Sequence, residues 1–275
     1  MTQISTDADI QACLRGERLY GDDFTPEQIA RWYADEKEGY ANLGAKDAST
    51  YEYPYHAMNI AHGYSRLPAN VRFTHAMGFG AAYGDELKPI ISRIDSITIM
   101  DPSDAFVKND VYGVPATWVK PEPSGRMSFP DASFDLITCF GVLHHVPNVS
   151  FVLREMARVL KPGGYALVRE PVVSMGDWRK PRQGLTKHER GIPLKVFRKM
   201  VTEAGLDIVR ERRIVFRPWV LVSNKLGVWP FNSTWSTAAD DFFSRFFLWN
   251  NRYHAGGMLD KFRPSGVYAV LRKKS

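Results

Sequence analysis

Cysteine is almost missing from this chain: Cys13 and Cys139 are the two in 275 residues. They stand in unrelated contexts and neither belongs to a C-x-x-C pair, which argues against a disulfide framework and against a cysteine zinc site. Cys139 lies in an apolar run and reads as a small buried hydrophobe. Long apolar runs are missing too, and no stretch approaches the roughly 20 residues that a membrane-spanning helix needs. The opening Met-Thr-Gln-Ile-Ser-Thr-Asp has neither the basic start nor the apolar middle of a secretory signal, so the expected location is cytoplasmic. No cluster of acids stands at ligand spacing, and no metal is expected.

What is present is an ordinary globular composition. At 24% charged residues the chain is long enough to bury one large core, and one domain with a cap is the simplest organisation. The net charge of +6 is unevenly placed. Arg179, Lys180, Arg182, Lys187, Arg190, Lys195, Arg198 and Lys199 crowd one region, a pattern that suits either an anionic, phosphate-bearing substrate or a solvated loop and helix face.

The densest information lies between Arg126 and Glu170. Phe134 to Phe140 is short, apolar and rich in β-formers, as in a strand covered on both faces. Asn148 is placed to cap the helix that follows, whose apolar residues at 152, 153, 156, 159 and 160 make a core-facing stripe. Lys161 suits the negative end of that helix, Pro162 cannot continue it, and Gly163-Gly164 admit the positive φ of a reversal. Tyr165 to Arg169 then reads as a second strand. Strand, crossover helix and parallel strand form a right-handed unit whose ligand sites lie beyond the carboxyl ends of the strands. Those ends carry Phe140, Gly141, His144 and His145 on one strand, and Arg169 and Glu170 on the other.

Further strands are expected on both sides. Val71 to Met77, Ile94 to Met100 and Ala116 to Val119 supply strands one to three, Asp207 to Phe216 strand six, and Pro264 to Arg272 strand seven. Pro193 to Gly205 has helical spacing between a proline start and a glycine stop. These alternating elements predict an α/β, Rossmann-like, doubly wound sheet of seven strands. After strand one, Gly78 and Gly80 flank Phe79 and let the backbone approach a ligand closely. Strand two ends in Asp101-Pro102-Ser103, where a carboxylate about 20 residues beyond the glycines can accept both hydroxyls of a ribose.

Three stretches together, Phe129-Pro-Asp-Ala-Ser-Phe-Asp135, Leu143-His-His-Val-Pro147 and Leu160-Lys-Pro-Gly-Gly164, resemble class I S-adenosylmethionine-dependent methyltransferases over about residues 71–172. The resemblance implies an antiparallel last strand, S-adenosyl-L-methionine as cofactor and S-adenosyl-L-homocysteine as product. It also implies cofactor contacts from Gly78, Phe79, Gly80, Asp101, Pro102, Phe140 and Gly141. Around the adenine it points to Ser124, Gly125, Arg126 and Met127, and in a lid over the cofactor to Tyr55. One position departs from the family: the acid usual two residues before the first glycine is Ala76. That departure keeps open a non-catalytic binding or scaffold protein with the same fold.

Transfer of a methyl group to an alcohol is helped by a base, because the attacking oxygen loses its proton. The chain is similar here to small-molecule sugar O-methyltransferases, which implies a base from His144 or His145 paired with Glu170. His188, in the glycine- and proline-rich segment 174–193, is another candidate base in what reads as a substrate loop. The tryptophan and arginines of that loop suit a sugar face and a phosphate. Residues 1–70 are expected as a helical lid and 71–275 as the core. An aromatic insertion at 216–262 is expected mainly as a cap or packing helix, with a dimer patch or a peripheral membrane contact as alternatives. The Tyr-x-x-x-Lys spacing of a dehydrogenase occurs at Tyr33 to Lys37, ahead of the glycine loop, and reads as an exposed helix face. No base-flipping motif or RNA-binding module points to nucleic acid. The expected function is therefore O-methylation of a small molecule, a sugar of a glycan precursor or a glycosylated metabolite. N-methylation or another small acceptor is the alternative.

Overall fold

The computed structural model describes residues 7–43 and 52–274, except 179 and 181 and the side chains of 37–43. Arg179 and the Lys37 side chain, both named above, lie outside the described residues. Among the described residues eight strands form one sheet: β1 (Ala76–Phe79), β2 (Ile97–Met100), β3 (Asp110–Val111), β4 (Val114–Val119), β5 (Phe134–Phe140), β6 (Leu160–Pro171), β7 (Leu206–Phe216) and β8 (Pro264–Lys273). Their order is β3-β4-β2-β1-β5-β6-β8-β7. β1, β2, β4, β5 and β6 are parallel, and β8 runs antiparallel between β6 and β7. The antiparallel last strand is therefore present. The count exceeds seven because Tyr112 and Gly113, at φ +50° and +82°, turn a two-residue hairpin that pairs β3 with β4.

Side chains alternate across this sheet. Ile137 and Val168 face a core shared with Leu153, Met156 and Phe197, whereas Leu136 and Leu167 face another with Leu87, Ile99 and Tyr268. Helices α1 (Asp7–Leu14), α2 (Pro26–Leu43) and α3 (His56–His62) precede the sheet. α4 (Val149–Val159) crosses from β5 to β6, and α5 (Leu194–Glu203) lies beside it. α6 (Arg217–Lys225) and α7 (Thr234–Phe246) fill the insertion between β7 and β8, where Phe243 and Phe247 pack on Phe216. Among the described residues no helix is long and apolar enough to cross a membrane.

Four local expectations change. Residues 71–75 contribute a single bridge, Phe73 to Ile94, so β1 starts at Ala76 and carries Gly78 within the strand. A Cβ there would stand 2.7 Å from that of Ala81, which only glycine avoids. Asn148 precedes α4 but does not cap it with its side chain, which donates to the Ser124 carbonyl at 2.8 Å. The cap comes from far away in sequence, because Asp22 Oδ1 accepts the Ser150 N–H at 2.8 Å.

Finally, Lys161 to Gly164 do not simply end the helix. Phe134 pairs with Leu160 and Leu136 with Tyr165, so the four residues between bulge out of the ladder. Gly164 passes so close to the Lys161 and Asp135 carbonyls that a Cβ would lie 2.9 and 3.0 Å from them. Asp135 fastens this bulge: it accepts from Thr74 Oγ1, from the His75 N–H at 2.9 Å and from Lys161 Nζ at 2.9 Å. Asp135→Ala should lower stability by about 1–3 kcal/mol, the usual cost of orphaned partly buried donors. Urea unfolding followed by tryptophan fluorescence measures this, and an unchanged midpoint would show that the bulge holds itself.

Candidate active site

A cleft with about 870 Å³ of atom-free space, part of it open to solvent, lies at the carboxyl ends of β1, β2 and β5. Phe79, Gly80, Asp101, Pro102, Gly125, Gly141 and His145 line it, as do Tyr33 and Glu36 of α2. Of the residues singled out in sequence, seven thus share one cavity. Asp101 is buried at the end of β2, where the Ser103 N–H donates to Oδ1 at 3.0 Å and the Ala82 N–H to Oδ2 at 3.1 Å. Burial pushes its carboxyl above the ordinary range, so its remaining lone pairs are strong candidates for ligand hydroxyls.

Other expected contacts are placed differently. Gly78 is enclosed in β1, and Phe140 packs against Tyr268 at 5.5 Å. Arg126 and Met127 line a separate surface hollow with Glu155 and Arg158. The Ser124 hydroxyl accepts the Arg126 N–H at 3.2 Å and does not line the cleft. Tyr55 stacks on Phe231 and carries the Arg169 guanidinium 3.6 Å above its ring, also away from the cleft. The covering element is α2 instead.

The polar loop after β5 is built around Glu170, which is 2% exposed. Its Oε1 accepts the N–H groups of Val142 and Leu143, both at 2.8 Å, and its Oε2 accepts the His144 N–H at 3.3 Å and His144 Nδ1 at 2.7 Å. The expected imidazole and acid pair therefore exists between His144 and Glu170. On the opposite edge of the ring, His144 Nε2 lies 3.4 Å from Glu189 Oε1. Burial alone would push His144 down, but the charge and hydrogen bond of Glu170, with those of Glu189, outweigh it and raise the group to about 9. Burial opposes ionisation of Glu189 as well, yet the hydrogen bond to His144 and the positive charge that ring carries help hold it down at about 2. His144 is thus a buried imidazolium clamped between two carboxylates, and it has no lone pair to act as a base.

His145 is the opposite case. Burial, and then the charge of His144, hold it below its ordinary value, so its ring is neutral at pH 7. Its Nδ1 lies 2.8 Å from Glu36 Oε2, which also accepts from Thr186 Oγ1 at 2.6 Å. Burial disfavours the Glu36 charge, but the hydrogen bonds from His145 and Thr186 keep it ionised. An ionised carboxylate can only accept, so Nδ1 carries the hydrogen and Nε2 keeps its lone pair. The ring lines the cleft.

His188 lies farther out, its Nε2 2.7 Å from Asp35 and its ring stacked on Trp32 at 4.4 Å. Its loop is braced from within. Arg190, fully buried, donates to the carbonyls of Tyr20, His144 and Pro147, all at 3.0 Å, and Arg182 donates to those of Met175, Thr186, Lys187 and Glu189. These guanidiniums are committed to backbone, which corrects their reading as phosphate ligands. His144, His145 and Glu189 each present an atom within 4.8 Å of the others, a spacing that admits a cation. The imidazolium of His144 already supplies positive charge there.

Glu36 was missed, although a signal existed. Ile29, Trp32, Tyr33 and Glu36 share one stripe of α2, and a carboxylate in such a stripe is the informative residue. The stripe also corrects the exposed-face reading of Tyr33 to Lys37, since Trp32 and Glu36 are buried.

The sheet order, its antiparallel last strand and the cleft at the strand ends define a class I methyltransferase fold. Residues 77–168 match the family described as methyltransferase domain. The 27-O-demethylrifamycin SV methyltransferase of Amycolatopsis mediterranei is 33% identical over 88 residues, covering 30% of this chain and 32% of that protein. A ubiquinone/menaquinone biosynthesis C-methyltransferase of Xanthomonas campestris is 49% identical over 55 residues, covering 20% of this chain and 22% of that one. The matches thus span a third or less of these curated relatives. The methyltransferase chain of a Haloferax volcanii complex with the activator Trm112 superposes with a TM-score of 0.53 at 15% identity, over 90% of this chain and 98% of that one. Residues 77–168 thus carry a methyltransferase domain, on a class I S-adenosylmethionine-dependent methyltransferase fold.

The cleft fits that cofactor. Asp101 is the candidate to accept ribose hydroxyls, and Phe79, Met100, Pro102 and Val152 give an apolar wall. Gly80, at φ +66°, brings the backbone to the cavity where a Cβ would strike Val142 at 2.4 Å. The acid that Ala76 does not provide is not replaced in the cleft lining: Glu86, whose Oε1 accepts from Thr138 at 2.9 Å and would lie 3.6 Å from a Cβ on Gly78, is buried behind β1. Burial pushes Glu86 up to about 8.

The clamp has a measurable pH signature. A histidine whose pKa is higher in the folded state adds stability that is complete below its unfolded value of about 6.5 and is lost as pH rises through about 9. The melting temperature should therefore fall between pH 7 and 10. His144→Ala should cost about 3–5 kcal/mol, because two buried carboxylates lose their shared partner, and should flatten that fall. An alkaline limb identical in the variant would contradict the assignment.

Proposed function

We propose that the protein transfers the methyl group of S-adenosylmethionine to a hydroxyl oxygen of a small acceptor, with His145 accepting the hydroxyl proton. The carrying observation is a neutral imidazole lining the cleft, its Nδ1 bound to Glu36 and its Nε2 keeping a lone pair. When bound, the cofactor supplies an electrophilic methyl group on a sulfonium centre. Asp101 and the backbone around Gly80 hold it, while Tyr33 and Glu36 of α2 cover the cleft and exclude water. His145 Nε2 takes the proton as the oxygen attacks, and Glu36 stabilises the imidazolium that forms. Glu170 and His144 are positioning residues in this reading, because they shape the loop that carries His145.

The match to a methyltransferase named for a rifamycin hydroxyl supports an oxygen acceptor. A sugar hydroxyl of a glycan precursor or glycosylated metabolite is one acceptor of this kind. The commitment of Arg182 and Arg190 to carbonyls favours an uncharged one. A second reading, transfer to carbon, draws on the 49% match to a C-methyltransferase, and an acidic carbon would give its proton to the same nitrogen. Of residues 1–70, α2 acts as the cap, and 71–275 act as the catalytic core, with 174–193 bracing the histidine loop.

His145→Gln should lower kcat by about a hundredfold or more, the usual range for loss of a general base, and leave S-adenosylhomocysteine affinity nearly unchanged by calorimetry. Since the base must be neutral, the wild-type rate should fall at acid pH with a midpoint below 6.5. Turnover is read as S-adenosylhomocysteine formed against hydroxylated polyketides and glycosides. Full activity of the variant would remove His145 from the chemistry. A wild-type protein that binds no S-adenosylhomocysteine would instead establish the scaffold alternative.

A further inference from the structure

Among the described residues, twelve of the seventeen exposed large apolar side chains fall between 221 and 262. Phe242, Phe246 and Trp249 are 64%, 67% and 74% exposed. These rings are not loose. Trp219 supports Trp235 at 5.9 Å and Phe243 at 5.6 Å, and Phe242 leans on Phe243 at 5.5 Å. Buried Phe216 then links Phe243 to Phe247, on which Phe246 rests at 5.1 Å and Trp249 at 6.3 Å. The result is one connected aromatic surface whose inner rings are packed and whose outer rings face solvent, a larger apolar display than solvent contact alone explains.

Beside it a second cavity opens past the end of β6, lined by Arg217, Lys261, Arg263, His254 and Ser174 with an apolar rim of Leu221, Met258 and Phe262. No acidic side chain is among its lining residues. Between 217 and 263 there are six cations and three anions, and each anion is engaged. Asp240 accepts the Val215 and Phe216 N–H groups, Asp241 pairs with Arg245 at 2.6 Å, and Asp260 accepts the Gly256 and Gly257 N–H groups. Uncompensated positive charge thus borders the exposed rings.

We propose that the α6–α7 face docks on an anionic lipid bilayer, with Phe242, Phe246 and Trp249 entering the interfacial layer and the Arg217–Lys261 cavity receiving lipid phosphates. Tryptophan and phenylalanine beside cations are the side chains that partition to a headgroup region. A second copy of the chain is a poorer occupant. A two-fold contact would set the same cations against each other, with every acid of this segment already in use. The inference does not depend on which acceptor is methylated.

The test is co-sedimentation of the full chain with vesicles of phosphatidylcholine alone and of phosphatidylcholine mixed with phosphatidylglycerol. The protein should pellet with the mixed vesicles, less so as salt is raised. The exposed triple variant Phe242→Ser, Phe246→Ser, Trp249→Ser should stay in the supernatant while binding S-adenosylhomocysteine like the wild type. Arg217→Glu with Lys261→Glu should weaken vesicle binding by about tenfold or more. The proposal fails if the wild type ignores both vesicle types, or if the ring variant pellets equally. It fails also if the wild type is a dimer that the ring variant splits, without vesicle binding.

Discussion

The arrangement depends on one buried carboxylate. Glu170 sits buried at the end of β6, and a charge so placed must find donors within the protein. It gathers three consecutive N–H groups and one imidazole from the loop that follows the neighbouring strand. Those bonds bend the chain after β5 into a tight 3-10 turn at Leu143–His145, and the turn decides where each histidine points. His144 is drawn inward beneath the acid, so its neighbour is left facing the cleft.

Two adjacent histidines thereby acquire opposite chemistry. The inner ring lies between Glu170 and Glu189 and keeps its proton, at about 9. The outer ring is hydrogen-bonded to one carboxylate, Glu36, and its burial, with a positive neighbour 4.1 Å away between ring centroids, resists a second proton. The charge on His144 therefore serves two ends: it satisfies buried acids, and it keeps His145 neutral. Arg190 completes the support by holding the His144 and Pro147 carbonyls from behind. N-terminal elements enter the same construction, since Trp32 Nε1 donates to the His145 carbonyl at 2.7 Å and Asp22 caps α4.

Much of this was legible in sequence, for physical reasons. Phe134 to Phe140 is legible to its observed bounds because an apolar β-rich run between polar breaks has few other uses. Gly80 and Asp101 are legible as residues at strand ends, and both line the cleft, whereas Gly78 lies inside β1. Burial and long-range pairing were not. Nothing local distinguishes His144 from His145, as both follow the same strand and differ only in contacts made by residues 26, 45 and 109 positions away. Tyr55 looked like a lid because aromatics cover cofactors, but tyrosines equally cover arginines, and Arg169 took it. The bulge at Lys161 to Gly164 resembled a helix stop because proline and glycine serve both.

The central claim is the division of labour between the two rings, and histidine side-chain nitrogen shifts measured by NMR across pH test it directly. The account predicts that at pH 7.5 both nitrogens of His144 show imidazolium shifts that persist to about pH 9. In the same spectrum His145 shows a neutral ring with its hydrogen on Nδ1. A neutral His144 at that pH, or a doubly protonated His145, would contradict it.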